Sequence, residues 1–219
     1  MKKKIALTAM LVILFMPVYN VQALWHYDFN YDDEVSYAEI ECYYAEYCFQ
    51  GETYDGSSID EETYENLDED DITTDLLGVS KLFHQASHGG NSTNGNGNYL
   101  CTHTSGERIY PNEIPDLDSV TGGGNQLLGF ASCCYSGLDH PRITMLHDEF
   151  IGEGSEAYMG YNDVVNGRDA YYFACAFYDN IVEADTIEDA IDDALAATND
   201  AVADILEAYG DLDIELVDS

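Results

Sequence analysis

The chain has 219 residues, 46% of them hydrophobic, enough for one domain with a real core and too apolar for a disordered acidic tail. Seven Lys and Arg stand against 43 Asp and Glu, a formal net charge of −36, and such a surface repels nucleic acid and anionic lipid. At low salt it also repels itself, whereas concentrated salt screens it to within a few ångströms; a halophilic, archaeal setting is the expectation, with an acidic secreted protein that uses Ca²⁺ as the plainer alternative.

Residues 1–23 read as a secretory signal peptide. Lys2, Lys3 and Lys4 make a positive start, Ile5 to Val18 is an apolar run containing Pro17, and Val21-Gln22-Ala23 puts small residues at the cleavage point. An uncleaved anchor is the alternative. No second apolar run of spanning length follows, so the expectation is a secreted chain with no membrane span after cleavage. Cleavage would leave Lys81, Arg108, Arg142 and Arg168 against all 43 acidic residues, a net charge of −39. Cys42, Cys48, Cys101, Cys133, Cys134 and Cys175 would remain. An exported chain permits disulfides; Cys42 with Cys48 is the most plausible local bridge, and the connectivity is otherwise open.

The mature chain divides into an acidic segment, 24–71, and a denser core, 72–219. Tyr37, Ile40, Tyr44 and Phe49 fall near helical spacing, with Gly51 as a stop. Residues 51–71 are polar and acidic and read as a solvated loop, or as a processing site between a pro-segment and the core. Ile72 to Val79 predicts a short helix. Lys81 to Ala86 predicts a strand that runs into Ser87-His88-Gly89-Gly90. Residues 90–98 read as a flexible surface loop, and Ile109 to Pro115 as extended chain or a short helical turn. After Gly122-Gly123-Gly124, Leu127 to Ser132 predicts a second strand, which runs into Cys133-Cys134-Tyr135-Ser136-Gly137. Ala157 to Tyr161 is a third strand candidate. Asp169 to Val182 reads as a buried helix, and Thr186 to Tyr209 as a long amphipathic one, capped by Asp185 or Thr186 and stopped by Gly210. Strands alternating with helices argue for an α/β sandwich with a mainly parallel sheet.

Two strand ends carry the chemistry. In an open parallel sheet, functional residues gather beyond the carboxyl ends of the strands. If these two strands are neighbours, His88 and Cys134 face one another. A thiol is only a few per cent thiolate at neutral pH; a nearby imidazole raises that fraction and can later protonate a leaving amine. Gly89, lacking a side chain, lets its N–H approach a substrate oxygen, and with the N–H of Cys134 it would form an oxyanion hole. His84 and His88 also read as His-x-x-x-His. Gln85 replaces the glutamate of the zinc-protease motif, however, and Gly89-Gly90 break the helix it needs. No metal is therefore expected in the site.

The ordered set of a strand, Ser87-His88-Gly89, a Gly-rich loop, and an apolar strand into Ala131-Ser132-Cys133-Cys134-Tyr135-Ser136-Gly137 resembles clan CD cysteine peptidases: caspases, metacaspases, legumain, gingipains and CHAT domains. The resemblance covers roughly residues 72–200. It implies a three-layer α/β/α caspase-like fold with a reduced N-terminal part. It also implies His88 as base, Gly89 and Cys134 as oxyanion donors and Cys134 as nucleophile, because Cys134-Tyr135-Ser136-Gly137 fits the family's Cys-x-Ser-Gly frame and Cys133 does not. The partner is then a peptide or protein substrate, with no cofactor required beyond an optional structural Ca²⁺.

Asp163, after the third strand, is the candidate for pairing with a basic substrate side chain, and Arg168 on the same loop would suit an acidic one. The negative field of the chain attracts cationic peptides, which favours Arg or Lys. Two other readings are a catalytically inactive module of the same fold and a Ca²⁺-binding extracellular structural protein. Asp68 to Asp71 supports the latter by composition alone. His26, His140 and His147 are expected at the surface and His103 in a loop. The sequence sets no oligomeric state.

Overall fold

The computed structural model describes residues 21–27, 35–65, 67–92, 94–102, 107–118, 120, 124–183, 186–198 and 200–218, the side chains of residues 21–36 and 75 aside. Residues 1–20 of the expected leader, His103, Gly122, Gly123 and Asp185, together with the His26 side chain, lie outside the described residues.

A seven-stranded sheet runs in the order β10 (Leu206–Gly210), β9 (Ala157–Tyr161), β8 (Leu128–Ser132), β4 (Leu82–Ala86), β1 (Val21–Tyr27), β3 (Ser57–Glu65), β2 (Thr53–Tyr54). The five inner strands are parallel, and β10 and β2 close the edges antiparallel. β4, β8 and β9 are buried along their whole length, as unbroken apolar runs in a sheet covered on both faces should be. Successive side chains then serve opposite faces. Phe130 and Met159 meet Phe49 of helix α1 (Val35–Phe49), Phe173 and Phe177 of α3 (Gly167–Ile181) and Ile191 of α4 (Ile187–Ala197). Phe83 and Tyr158 meet Ile72 and Leu77 of a short helical segment, and Leu146 and Phe150 of α2 (Leu146–Gly152). The antiparallel ribbon β5 (Gly89–Asn91), β6 (Asn98–Cys101), β7 (Arg108–Ile109) covers the rest of that second face through Leu100 and Ile109. The result is the expected α/β/α sandwich.

Several elements depart from the sequence reading. Residues 53–65, expected as a solvated loop, form β2 and β3. β3 pairs with β1 over seven residues, Val21 opposite Ile59 through Tyr27 opposite Glu65. It lies beside the sheet edge, so of its side chains only Ile59 is fully buried and acidic residues are tolerated between. Residues 90–98, expected as a flexible loop, lie within the β5–β6 hairpin, in which Gly89–Asn91 pairs with Asn98–Cys101. The long C-terminal helix ends at Ala197. The Thr198 hydroxyl turns back to the Ala194 carbonyl at 2.8 Å, Asp200 takes a positive φ of 57°, and Leu206–Gly210 pairs with β9. The Ala-Val-Ala-Asp-Ile-Leu-Glu-Ala stretch has helical propensity, but the open edge of β9 outweighs it. Thr186 does cap α4, its hydroxyl accepting the Asp189 N–H at 3.1 Å.

Among the described residues no disulfide is formed. Cys42 and Cys48 lie six residues apart on α1, a rise of about 9 Å with the side chains on different faces, too far for a bridge. His147, expected at the surface, is buried and stacks on Tyr209 with ring centres 3.8 Å apart.

Candidate active site

β4 and β8 are neighbouring parallel strands paired to their last residues, Ala86 opposite Ser132. The chain runs two residues past each, to exposed His88 and half-buried Cys134. Neighbouring strands lie about 4.8 Å apart, so the two loops leave the carboxyl end of the sheet side by side and at one level.

The turn after Cys134 is shaped by packing against β9. The buried Ser136 hydroxyl shares its hydrogen between the Ala131 carbonyl (2.6 Å) and the Cys133 carbonyl (2.8 Å), and accepts the Tyr161 N–H at 3.1 Å. Gly137 donates its N–H to the Tyr161 carbonyl at 2.9 Å. A Cβ on Gly137 would lie 2.7 Å from the Gly160 carbonyl carbon and oxygen, and one on Gly160 would lie 2.5 Å from the Ser136 hydroxyl. Serine and glycine are thus dictated by donor count and space. Between Cys134 and Ser136, Tyr135 adopts φ +62°, a strained value for a non-glycine residue and one that clusters at functional sites.

Gly89 is fixed by the same crowding. Any Cβ there would strike the Cys134 carbonyl oxygen and come within 3.1 Å of the Tyr99 carbonyl. Its backbone therefore lies directly against that of Cys134. The His88 carbonyl accepts the Cys101 N–H at 2.8 Å, which ties the loop to β6.

The two adjacent cysteines differ in surroundings. Cys133 is fully buried, its thiol lying 3.4 Å from the Ser87 hydroxyl and 3.5 Å from the Gln85 carbonyl, and burial pushes its pKa far above the ordinary thiol range. Such a thiol is inert packing. Cys134 is half-buried, and its thiol contacts the Val165 carbonyl at 3.7 Å. The half-buried thiols of Cys48 and Cys175, on α1 and α3, are pushed up to about 12 by burial first and by nearby carboxylates second.

Asp163 lies against the turn. Its carbonyl accepts the Tyr135 N–H at 3.1 Å and its exposed carboxylate accepts the Val164 N–H at 2.7 Å. Partial desolvation, and then that carboxylate, raise the Tyr135 phenol. Arg168 points elsewhere: its guanidinium sits 5.3 Å from the Tyr172 ring, at the end of a groove of about 630 Å³ along α3 that also touches Cys175, Asp179 and Thr198.

His84 belongs to the core. Its Nδ1 is 2.8 Å from the Tyr178 hydroxyl and its Nε2 is 2.9 Å from Glu41 Oε1, all three residues being buried. His84 stands inside β4 and His88 is exposed beyond its end, so the two are not paired on one turn of a helix as a His-x-x-x-His metal motif requires. Among the described residues no three His, Cys, Asp or Glu side chains converge to hold a metal.

Sequence reasoning missed the side chains that hold the turn. Asn98 donates to the Tyr135 and Ser136 carbonyls, the Tyr158 hydroxyl donates to the Ser136 carbonyl at 3.1 Å, and the Tyr209 hydroxyl to the Gly137 carbonyl at 2.8 Å. They come from β6, β9 and β10, and no spacing along the chain links them to Cys134.

No protein-family model and no curated protein matches the chain. Solved structures do. A structure described as that of a protease matches at 13% identity with a TM-score of 0.62, covering 93% of this chain and 50% of that one. The Arg-specific cysteine proteinase gingipain R matches at 12% identity with a TM-score of 0.59, covering 90% of this chain and 47% of that one. Separase, in the Saccharomyces cerevisiae separase–securin complex, matches at 12% identity with a TM-score of 0.56, covering 93% of this chain and 13% of that one. The chain thus has the caspase-like fold of these structures and spans about half the length of the first two. At such identities the likeness is one of fold.

Proposed function

We propose that the chain is a secreted cysteine endopeptidase in which His88 and Cys134 form the catalytic dyad. One observation carries this reading: Ala86 is paired with Ser132, so the two loops leave adjacent parallel strands together. The His88 imidazole takes the proton of the Cys134 thiol. The thiolate attacks the scissile carbonyl, and the N–H groups of Gly89 and Cys134 receive the oxygen as it becomes negative. His88 then gives the proton to the leaving amine, and water hydrolyses the thioester. Asp163, exposed beside the turn, would pair with an Arg or Lys side chain preceding the cut. Export would follow cleavage after Ala23, which removes Val21–Ala23 from β1 and leaves Leu24–Tyr27 to pair with β3 and β4; the low count of basic residues suits a saline exterior, with Ca²⁺ as an optional structural ion.

A second reading, a catalytically inactive acidic binding module, is favoured by the contact of the Cys134 thiol with the Val165 carbonyl at 3.7 Å, which engages the sulfur within the chain. Alkylation by iodoacetamide under mild reduction, mapped by mass spectrometry, decides between them. Rapid labelling of Cys134 that disappears in His88→Ala, with cleavage of fluorogenic peptides carrying Arg or Lys before the cut, supports the peptidase. Sluggish labelling of Cys134 at the rate of Cys48 and Cys175, without cleavage, sinks it.

A further inference from the structure

We infer that Asn98 is a positioning residue for the Cys134 nucleophile, an inference that rests on the peptidase reading above. Asn98 opens β6 and is fully buried. Its Nδ2 donates to the Tyr135 carbonyl at 2.8 Å and to the Ser136 carbonyl at 2.7 Å. Its Oδ1 accepts the Leu146 N–H at 2.8 Å, a donor in the first turn of α2 with no partner inside the helix. The amide orientation follows from the partners: two carbonyls require the NH₂ and one N–H requires the oxygen. One side chain therefore joins the turn after Cys134, the β5–β6 hairpin and the start of α2.

The hairpin is the element that carries Gly89. Gly89 pairs with Leu100 and Asn91 with Asn98, and the Gly89 backbone lies against the Cys134 carbonyl. Asn98 thus locks the peptide that would bind the oxyanion to the turn that aims the sulfur. The turn needs such a lock. Tyr135 sits at φ +62°, which a non-glycine residue keeps only where its surroundings over-determine it. The Ser136 carbonyl is also buried, where it requires donors. Without the Asn98 amide, Tyr135 relaxes from the left-handed region and carries Cys134 out of register with His88 and Gly89.

Asn98→Asp keeps the shape and the acceptor for Leu146 but replaces both donors by oxygen. The expected result is a folded protein in which iodoacetamide labels Cys134 at least about tenfold more slowly, while Cys48 and Cys175 react as before. Peptide cleavage loses about a hundredfold in kcat with KM nearly unchanged, as misplacement of a reacting atom predicts. A merely structural residue would leave that kcat-against-KM split and the selective slowing of one thiol unmoved. Wild-type labelling of Cys134 in folded Asn98→Asp overturns the inference while leaving the dyad standing. If Cys48 and Cys175 label faster, the variant has unfolded, and Asn98→Ser, which retains one donor, is judged by the same criterion. Should wild-type Cys134 itself react no faster than Cys48 and Cys175, the peptidase reading falls and this inference with it.

Discussion

Ser136→Ala removes one oxygen from the centre of the turn that follows Cys134, and its cost follows from the contacts. The hydroxyl makes one shared donation, to Ala131 and Cys133, and accepts one N–H, from Tyr161. Two buried hydrogen bonds contribute about 2 kcal/mol net, and the Tyr161 N–H left without an acceptor adds roughly 1 more. The expected loss is about 3 kcal/mol, somewhat over a hundredfold in the unfolding equilibrium. Alanine is no larger than serine, so no clash enters. Urea unfolding followed by circular dichroism in concentrated salt measures the loss. Ser92→Ala is the control: its hydroxyl accepts the Asn94 N–H at 3.2 Å in an exposed loop, and the change should stay within about 0.5 kcal/mol. If Ser136→Ala costs no more than Ser92→Ala, the turn is not held as described, and the reason given for serine in Cys-x-Ser-Gly is wrong.

Gly89→Ala should lower both stability and Cys134 reactivity, since its Cβ meets two backbone carbonyls that cannot yield; normal labelling and an unchanged melting temperature would contradict the packing described. Glu41→Ala should destabilise by about 3 kcal/mol, because it strips the partner from a buried histidine. Glu41→Gln, which keeps a polar group there, should cost clearly less, and equal losses in urea unfolding would argue against the pair. Raising KCl from about 0.1 M to above 1 M should raise the melting temperature as the charge of −36 is screened; a flat response in differential scanning fluorimetry would refute a salt-dependent fold.

The buried strands were legible because they leave local marks. Leu-Phe-His-Gln-Ala, Leu-Gly-Phe-Ala-Ser and Ala-Tyr-Met-Gly-Tyr are short, largely apolar runs of strand length, and β9 coincides with its expected span. His88, Gly89 and Cys134 stood out for the same reason: each follows such a run, and backbone crowding at Gly89 and Gly137 demands the residue that the motif contains. The acidic strand β3, beside the sheet edge, and the terminal strand β10, at it, were hidden, since strands there take their stability from a neighbour's hydrogen bonds and not from their own apolar pattern. Asn98 was hidden more deeply. It sits in a stretch of Gly, Asn, Ser and Thr that reads as loop, and it matters only because three carbonyl or amide groups, from residues 135, 136 and 146, converge on it.

The sequence by itself therefore determined the fold class, the acidic composition and the two strands whose ends carry the proposed dyad, because these depend on composition and on neighbours along the chain. Only the tertiary structure decided that β4 and β8 are adjacent and in register, that Cys133 is buried while Cys134 is accessible, and which distant side chains hold the turn. Hydrogen bonding and exclusion of water act through space, and the order of residues along a chain does not record them.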